Sequence, residues 1–392
     1  MRVVISYRAP IGAQPLGTPP SKKCYQTHAV KRYVMRFRSV LIAAALLSSC
    51  ERKAATPDPE KPIEPTFSEV GAADAFGAPG GDVNDVAFWS HPDVAFESLV
   101  LTVNDAVVEA FAVETGRLVF SVPGGADTIE VFYAGEKSPG FFIAASGGAY
   151  RLFAIAADGR SAAPQGLFEA ASEMVLFCVK GGVEPVLYEI AGGTISSRAL
   201  TIAANAAELA SPETLVESGN AVACHVDPFR DDVIVISSDG AIRRINPASG
   251  AVFGIALPAE LSAGASSLAV GRTEAGEPSV QVALLDERTG SISLFDASDG
   301  HALGRIRVKA TFDLEAVTSA SRIDIGSANF GGVYRDGALA VVTSGAGAPV
   351  RLVPWNGVMS ALSLRVPAAL NPRSPKIEPE DDDVISIEVI EP

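Results

Sequence analysis

The side chains that dominate the chemistry of this sequence are carboxylates: the chain carries 46 Asp and Glu against 31 Lys and Arg. An acidic surface of this kind repels nucleic acid and anionic lipid and attracts cations. The densest run, Glu378, Glu380 and Asp381-Asp382-Asp383, reads as a solvated linker, with loose Ca2+ binding as the alternative. Histidine is scarce. His91 precedes Pro92, where it reads as a turn cap; His225 adjoins Cys224 in an apolar run; His301 stands apart from both. Scattered imidazoles like these are core or solvated residues more often than a metal site. No G-x-S-x-G, no P-loop and no G-x-G-x-x-G opening a helix occurs, which argues against standard hydrolase and nucleotide-binding readings. Cys178 and Cys224 each lie in a strand-like apolar run. Buried free thiols are the expected state, with a disulfide as the alternative.

Such groups need a framework, and the composition points to β structure. With 36 Gly, 26 Pro and 48% hydrophobic residues, the chain suits many short strands joined by turns. From about Val83 one unit recurs: a short apolar strand, an alternating strand pair, then a Gly- or Asp-rich exit. Its third strand reads Val108–Val113 with Gly116, Ala149–Ile155 with Gly159, Val186–Ile190 with Gly192-Gly193, Ala241–Ile245 with Gly250, Ser291–Phe295 with Gly300, and Val350–Trp355. Alternation puts every second side chain in a half-buried layer, and the glycines supply the positive φ of a hairpin turn. Units spaced roughly 36 to 59 residues apart are blade-sized. The fold class expected is all-β, a six-bladed β-propeller preceded by a signal and tether segment. A pair of β-sandwiches is the rival, but sandwiches do not need six similar units. Helical periodicity is confined to a turn or two at Ala203–Ala210.

Residues 1–49 carry eight Lys/Arg and no acid, so the chain from Cys50 onward holds 23 basic residues against 46 acidic ones. Arg36 and Arg38 precede the apolar run Val40–Leu47, which is too short to span a bilayer. Leu47-Ser48-Ser49-Cys50 resembles a bacterial lipobox, whose Cys takes a diacylglycerol and becomes the mature N-terminus. Met35 is then the expected start, and Cys50 the lipidated residue. The expected organisation is a signal region at 1–49, a flexible tether at 50–74, a propeller at 75–365, and an acidic tail at 366–392 in which Val384–Ile390 alternates like an edge strand. The expected location is the envelope of a Gram-negative cell, held to the membrane by a lipid anchor, with a monomeric chain and no nucleic-acid partner.

Asp82-Val83-Asn84-Asp85-Val86-Ala87-Phe88-Trp89-Ser90-His91-Pro92 resembles the opening D-x-D-D-P-A-I-W-x-H-P run of the β-propeller phytases. Phe177-Cys178, Ala223-Cys224 with Asp227, Ala241-Ile242, Asp313–Thr318 and Leu352-Val353-Pro354-Trp355 fall in step with further segments of that family. The resemblance spans roughly residues 80–360 and implies a 3-phytase-like phosphomonoester hydrolase that uses Ca2+ on phytate or a related inositol phosphate. Its metal ligands carry over as Asp82, Asp85, Asp227, Asp239 and Asp313. Other family positions are replaced. Asn84 stands for one Asp, Val222 for a Glu, Ser237 and Ser238 for a Glu pair, and Thr289-Gly290 for an Asn pair. On the substrate side Asn104-Asp105-Ala106 replaces a basic loop, Gly147-Gly148 an Asn-Arg pair, and Phe132 an Arg. Removing one oriented charge from a transition-state clamp costs ~100- to 1,000-fold in rate. The expectation is therefore a weak or inactive phytase-like lipoprotein, and the alternative a non-catalytic binding or scaffold propeller of the envelope.

Overall fold

The structure, a computed structural model, describes residues 66–77, 81–170, 176–203, 206–238, 241–257, 265–273, 276–343 and 349–375. Two short strands come first, β1 (Ser68–Gly71) and β2 (Asp74–Phe76). Six sheets follow around one axis. Blade 1 contains β3 (Asp85–Trp89), β4 (Leu99–Val103), β5 (Val107–Ala112) and β6 (Leu118–Pro123). Blade 2 contains β7 (Thr128–Phe132), β8 (Phe141–Ser146), β9 (Ala149–Ile155) and β10 (Ala162–Glu169). Blade 3 contains β11 (Leu176–Lys180), β12 (Val186–Ala191) and β13 (Thr194–Ile202), with β14 (Ala207–Leu209) and β15 (Glu213–Glu217) both paired to β13. Blade 4 contains β16 (Ala221–Val226), β17 (Val233–Ser237), β18 (Ala241–Ile245) and β19 (Val252–Ala256). Blade 5 contains β20 (Ser266–Arg272), β21 (Pro278–Asp286), β22 (Ser291–Asp296) and β23 (Ala302–Lys309). Blade 6 contains β24 (Ala320–Gly326), β25 (Ala338–Thr343) and β26 (Val350–Pro354), followed by a short helix α1 (Trp355–Ala361).

The first strands, β3, β7, β11, β16, β20 and β24, contact one another in a ring and line the axis. Blade 6 supplies only three strands of its own. The missing outer strand is β2, which pairs antiparallel with β26 in the register Asp74↔Leu352, Ala75↔Arg351, Phe76↔Val350. Just before it, β1 pairs parallel with β23 and gives blade 5 a fifth strand. β1 and the start of β2 therefore fall ahead of residue 75, in the stretch the sequence assigned to a tether.

Each second strand is apolar on both faces because neighbouring blades cover both sides: all five residues of β4 are buried, as are seven of the nine in β21. Six hydrophobic clusters result, one at each junction between blades. Trp89, Leu101, Ile129 and Phe142 fill the junction of blades 1 and 2, and Phe76, Phe88, Phe111 and Phe330 fill that of blades 6 and 1. The turn glycines expected after the third strands, Gly116, Gly159, Gly250 and Gly300, all have φ between 61° and 74°.

Two sequence expectations are corrected. Val186–Ile190 is the second strand of blade 3, not the third, because Gly192-Gly193 joins it to the longer β13. Both strands alternate, so alternation alone cannot rank them. The described part of Ala203–Ala210 holds no helix: Ala207–Leu209 is strand β14, held by pairing to Leu200–Ile202. The helix lies instead at Trp355–Ala361, where Trp355, Val358 and Met359 are buried at spacings of three and four.

Candidate functional site: the axial channel

A cavity of about 950 Å3 runs along the axis between the six first strands. A first strand exposes one edge to this channel, so its backbone donors need partners there. Side chains from neighbouring first strands supply them. Asp85 Oδ2 accepts the Thr128 hydroxyl at 2.6 Å and the Ile129 N–H at 3.1 Å, joining blades 1 and 2. Glu130 Oε1 accepts the Val179 N–H at 3.1 Å, joining blades 2 and 3. A disulfide between Cys178 and Cys224 joins blades 3 and 4. His225 Nε2 and Ser266 Oγ lie 3.0 Å apart across blades 4 and 5. Ser267 Oγ accepts the Ile325 N–H at 2.9 Å and donates to Asp324 Oδ1 at 2.8 Å, joining blades 5 and 6. Asp324 Oδ2 accepts the Phe88 N–H at 3.2 Å and closes the circle onto blade 1. Every junction is thus linked at the axis. The disulfide corrects the expectation of free thiols: each cysteine sits in an apolar strand as expected, but blades 3 and 4 bring the Cα atoms to 5.5 Å, within bonding reach.

Asp85, Glu130 and Asp324 line this channel as half-buried carboxyls. Burial drives the Glu130 carboxyl up to about 8, with Asp324 and Asp85 adding to the rise. Asp324 is raised to about 6 by burial and by Asp85. Asp85 is also raised by burial, against the opposing pull of its hydrogen bonds and of Arg322. Burial lowers His225 to about 4, so its imidazole is neutral at physiological pH.

The residues carried over as metal ligands are dispersed among different tasks. Asp85 opens β3 and binds protein donors with both oxygens, since Oδ1 accepts the Val86 N–H at 3.0 Å. Asp227 follows the end of β16. Its Oδ1 caps the turn by accepting the Phe229 and Arg230 N–H groups at 2.8 and 3.1 Å, and Oδ2 faces Arg230 at 3.5 Å. Asp82 and Asp313 are exposed in loops before β3 and β24. Asp239 and Cys50 lie outside the described residues, as do Val384–Ile390. A Ca2+ ion takes six to eight oxygen ligands, and among the described residues no three His, Cys, Asp or Glu side chains are grouped to hold a metal. The four described members of this set, Asp82, Asp85, Asp227 and Asp313, do not assemble a Ca2+ cluster.

The positions at which the sequence differs from the phytase pattern have partners of their own. Asn84 Nδ2 donates to Asp105 Oδ1 at 2.8 Å and to the Ala126 carbonyl at 3.0 Å. Phe132 is buried and stacks on Phe141 with ring centres 5.6 Å apart. Gly148, Val222 and Ser238 line the channel, which makes that part of its wall small and uncharged. His91 caps its turn as expected, with Nδ1 accepting the Asp93 and Val94 N–H groups at 3.1 and 2.9 Å.

Three functional-looking residues escaped sequence reasoning. Glu130 and Asp324 left a legible signal: each is a charge at an alternate position of a first strand, two residues from Thr128 and Arg322 respectively. Arg373 left none. It belongs to a segment assigned to the acidic tail, yet residues 362–375 cross one end of the channel as a strap. Leu370 donates its N–H to the Ser327 carbonyl at 2.7 Å, and Leu370 and Pro372 line the cavity. Arg373 is buried; Nε donates to the Ser138 carbonyl at 2.7 Å and Nη2 to the Ser90 carbonyl at 2.7 Å, while the guanidinium lies 4.3 Å from the centre of the Tyr133 ring.

No helix among the described residues is long and apolar enough to cross a membrane. No family model matches the chain, and no curated protein matches it. Among solved structures, the chain is similar to U3-55K at 14% identity and a TM-score of 0.46, over 72% of this chain and 81% of that one. A structure of the RRP9 WD40 repeats gives 13% identity and a TM-score of 0.46, over 72% and 80%. BBS1N in complex with ARL6DN gives 11% identity and 0.42, over 65% and 74%. These likenesses are too distant to bear on activity; the six-bladed β-propeller stands on the chain's own sheets.

Proposed function

We propose that this chain is an exported, lipid-anchored β-propeller that serves the cell envelope as a binding scaffold, related to the β-propeller phytases but not catalysing phosphomonoester hydrolysis. The observation that carries this reading is the engagement of Asp85: both oxygens of this family-matched carboxylate are satisfied by Thr128, Ile129 and Val86, and the bonds hold blade 1 to blade 2. A ligand carboxylate for Ca2+ needs lone pairs turned to the ion. The channel is open to small polar ligands, with Thr128, Ser146, Asn220 and Ser266 among its polar lining.

One observation favours the rival, a Ca2+-dependent phosphomonoesterase acting on phytate. Asp85, Glu130 and Asp324 form a carboxyl set whose proton affinities are raised by burial, Asp85 adding to the rise of Asp324 and both adding to that of Glu130, as carboxyls at working sites often are. Phosphate release from phytate by the purified full chain, with and without millimolar Ca2+, separates the two. The scaffold reading expects release at background in a folded sample. Release that depends on Ca2+ and disappears in Asp85→Asn overturns it. Lipid anchoring is tested separately: membrane partition of the expressed chain, with a diacylglyceryl mass increment at Cys50, is expected to be lost in Cys50→Ala.

A further inference from the structure

Away from the channel, and sharing no lining residue with it, a second cavity of about 680 Å3 gathers three guanidinium groups. Arg272 ends β20, Arg335 follows the turn after β24, and Arg365 lies on the strap; Asn356 and Ser360 of α1 complete the wall. In a chain of net charge −15 such a convergence is unexpected. Arg272 Nη1 donates to the Gly276 carbonyl at 3.0 Å, and a Cβ placed on Gly276 would lie 3.4 Å from Arg365 Nη1, so the two cations flank a single glycine. Arg335 faces Asp336 at 3.4 Å. Among the described residues no carboxylate stands within ion-pair distance of Arg272 or Arg365.

We propose that this cavity binds a phosphoryl group. Arg272 and Arg365, paired with no carboxylate among the described residues, set two like charges about Gly276, and a dianion between them removes their repulsion. The planar donor fork of Arg matches phosphoryl oxygens in pairs, which a single carboxylate with one charge satisfies less completely. The Ser360 hydroxyl and Asn356 amide line the same wall and supply neutral hydrogen bonds, while Asp336 confines the positive charge to the side of Arg272 and Arg365. The phosphoryl group comes either from a soluble phosphate ester or from a lipid headgroup.

Isothermal titration of the purified full chain with inorganic phosphate and with glycerol 3-phosphate tests the first source. Flotation with phosphatidylglycerol vesicles, against phosphatidylcholine vesicles, tests the second. Saturable binding is expected in one arm, falling with added salt. The double variant Arg272→Gln/Arg365→Gln is expected to weaken it at least tenfold without lowering Tm, while Arg288→Gln, which alters an exposed arginine elsewhere, leaves it unchanged. Absence of saturable binding in every arm, or binding that the double variant leaves intact, overturns the proposal. The outcome is independent of phytate hydrolysis at the axis, because Glu130→Gln and Asp85→Asn do not touch this cavity.

Discussion

Asn84 and Asp105 are hydrogen-bonded to each other at 2.8 Å, amide to carboxylate. Each departs from the phytase-like pattern, Asn84 by replacing an acid and Asp105 by standing in a loop where bases are expected. The two departures fit one another. Restoring the acid alone in Asn84→Asp sets two carboxylates face to face and is expected to cost about 1 kcal/mol. The exchange Asn84→Asp/Asp105→Asn is expected to recover part of that loss, because the bond re-forms with its polarity reversed while the donor to Ala126 stays absent. Urea unfolding of the four members of this cycle measures the coupling, and a coupling near zero removes the argument.

The Cys178–Cys224 bond closes a loop of 46 residues, and confining the unfolded chain to that extent stabilises the fold by about 4 kcal/mol. The double variant Cys178→Ser/Cys224→Ser is expected to unfold several degrees lower than the parent under non-reducing conditions. Reduction of the parent should bring the two curves together. Coincident curves before reduction would show that the bridge adds nothing.

Glu130 gives stability a distinct pH dependence. Folded, its carboxyl keeps the proton up to about pH 8; unfolded, it releases it near the ordinary value of 4.5. Unfolding therefore releases a proton between those values, and stability present below pH 4.5 is lost as pH rises toward 8. Tm is expected to fall across this window, and Glu130→Gln, neutral throughout while keeping an acceptor for the Val179 N–H, is expected to flatten the slope. Parallel profiles for the two proteins refute the assignment.

Arg373 anchors the strap by three carbonyl contacts and by the face of Tyr133. Arg373→Ala takes this donor from the Ser138 and Ser90 carbonyls, while Pro139 keeps the Trp89 indole N–H at 2.6 Å, and is expected to cost about 2 to 3 kcal/mol. It is also expected to hasten limited proteolysis within residues 362–375. Cleavage at the parent rate indicates that the strap is held by its other contacts.

The sequence made the blade count legible because a hairpin glycine and an alternating third strand mark a unit without reference to its neighbours. What it could not show depends on strands separated by long stretches of chain. Cys178 and Cys224 meet only because β11 and β16 stand side by side at the axis. Asp85 is easily noticed as an acid, but its partner Thr128 is chosen by the angle between two blades. The strap escaped notice because Arg373 is a lone charge in a proline-rich stretch, and nothing local announces that it will be buried.

The β2–β26 pairing joins Asp74 to Leu352, so the ring cannot close until nearly the whole domain has emerged and the first residues have found the last blade. Contacts of such separation form late. Until then blade 6 carries an unpaired edge along β26, and a second chain's β2 fits that edge as well as its own does. The hook that completes the monomer is thus also the segment through which crowded, half-folded chains would exchange strands and form domain-swapped oligomers.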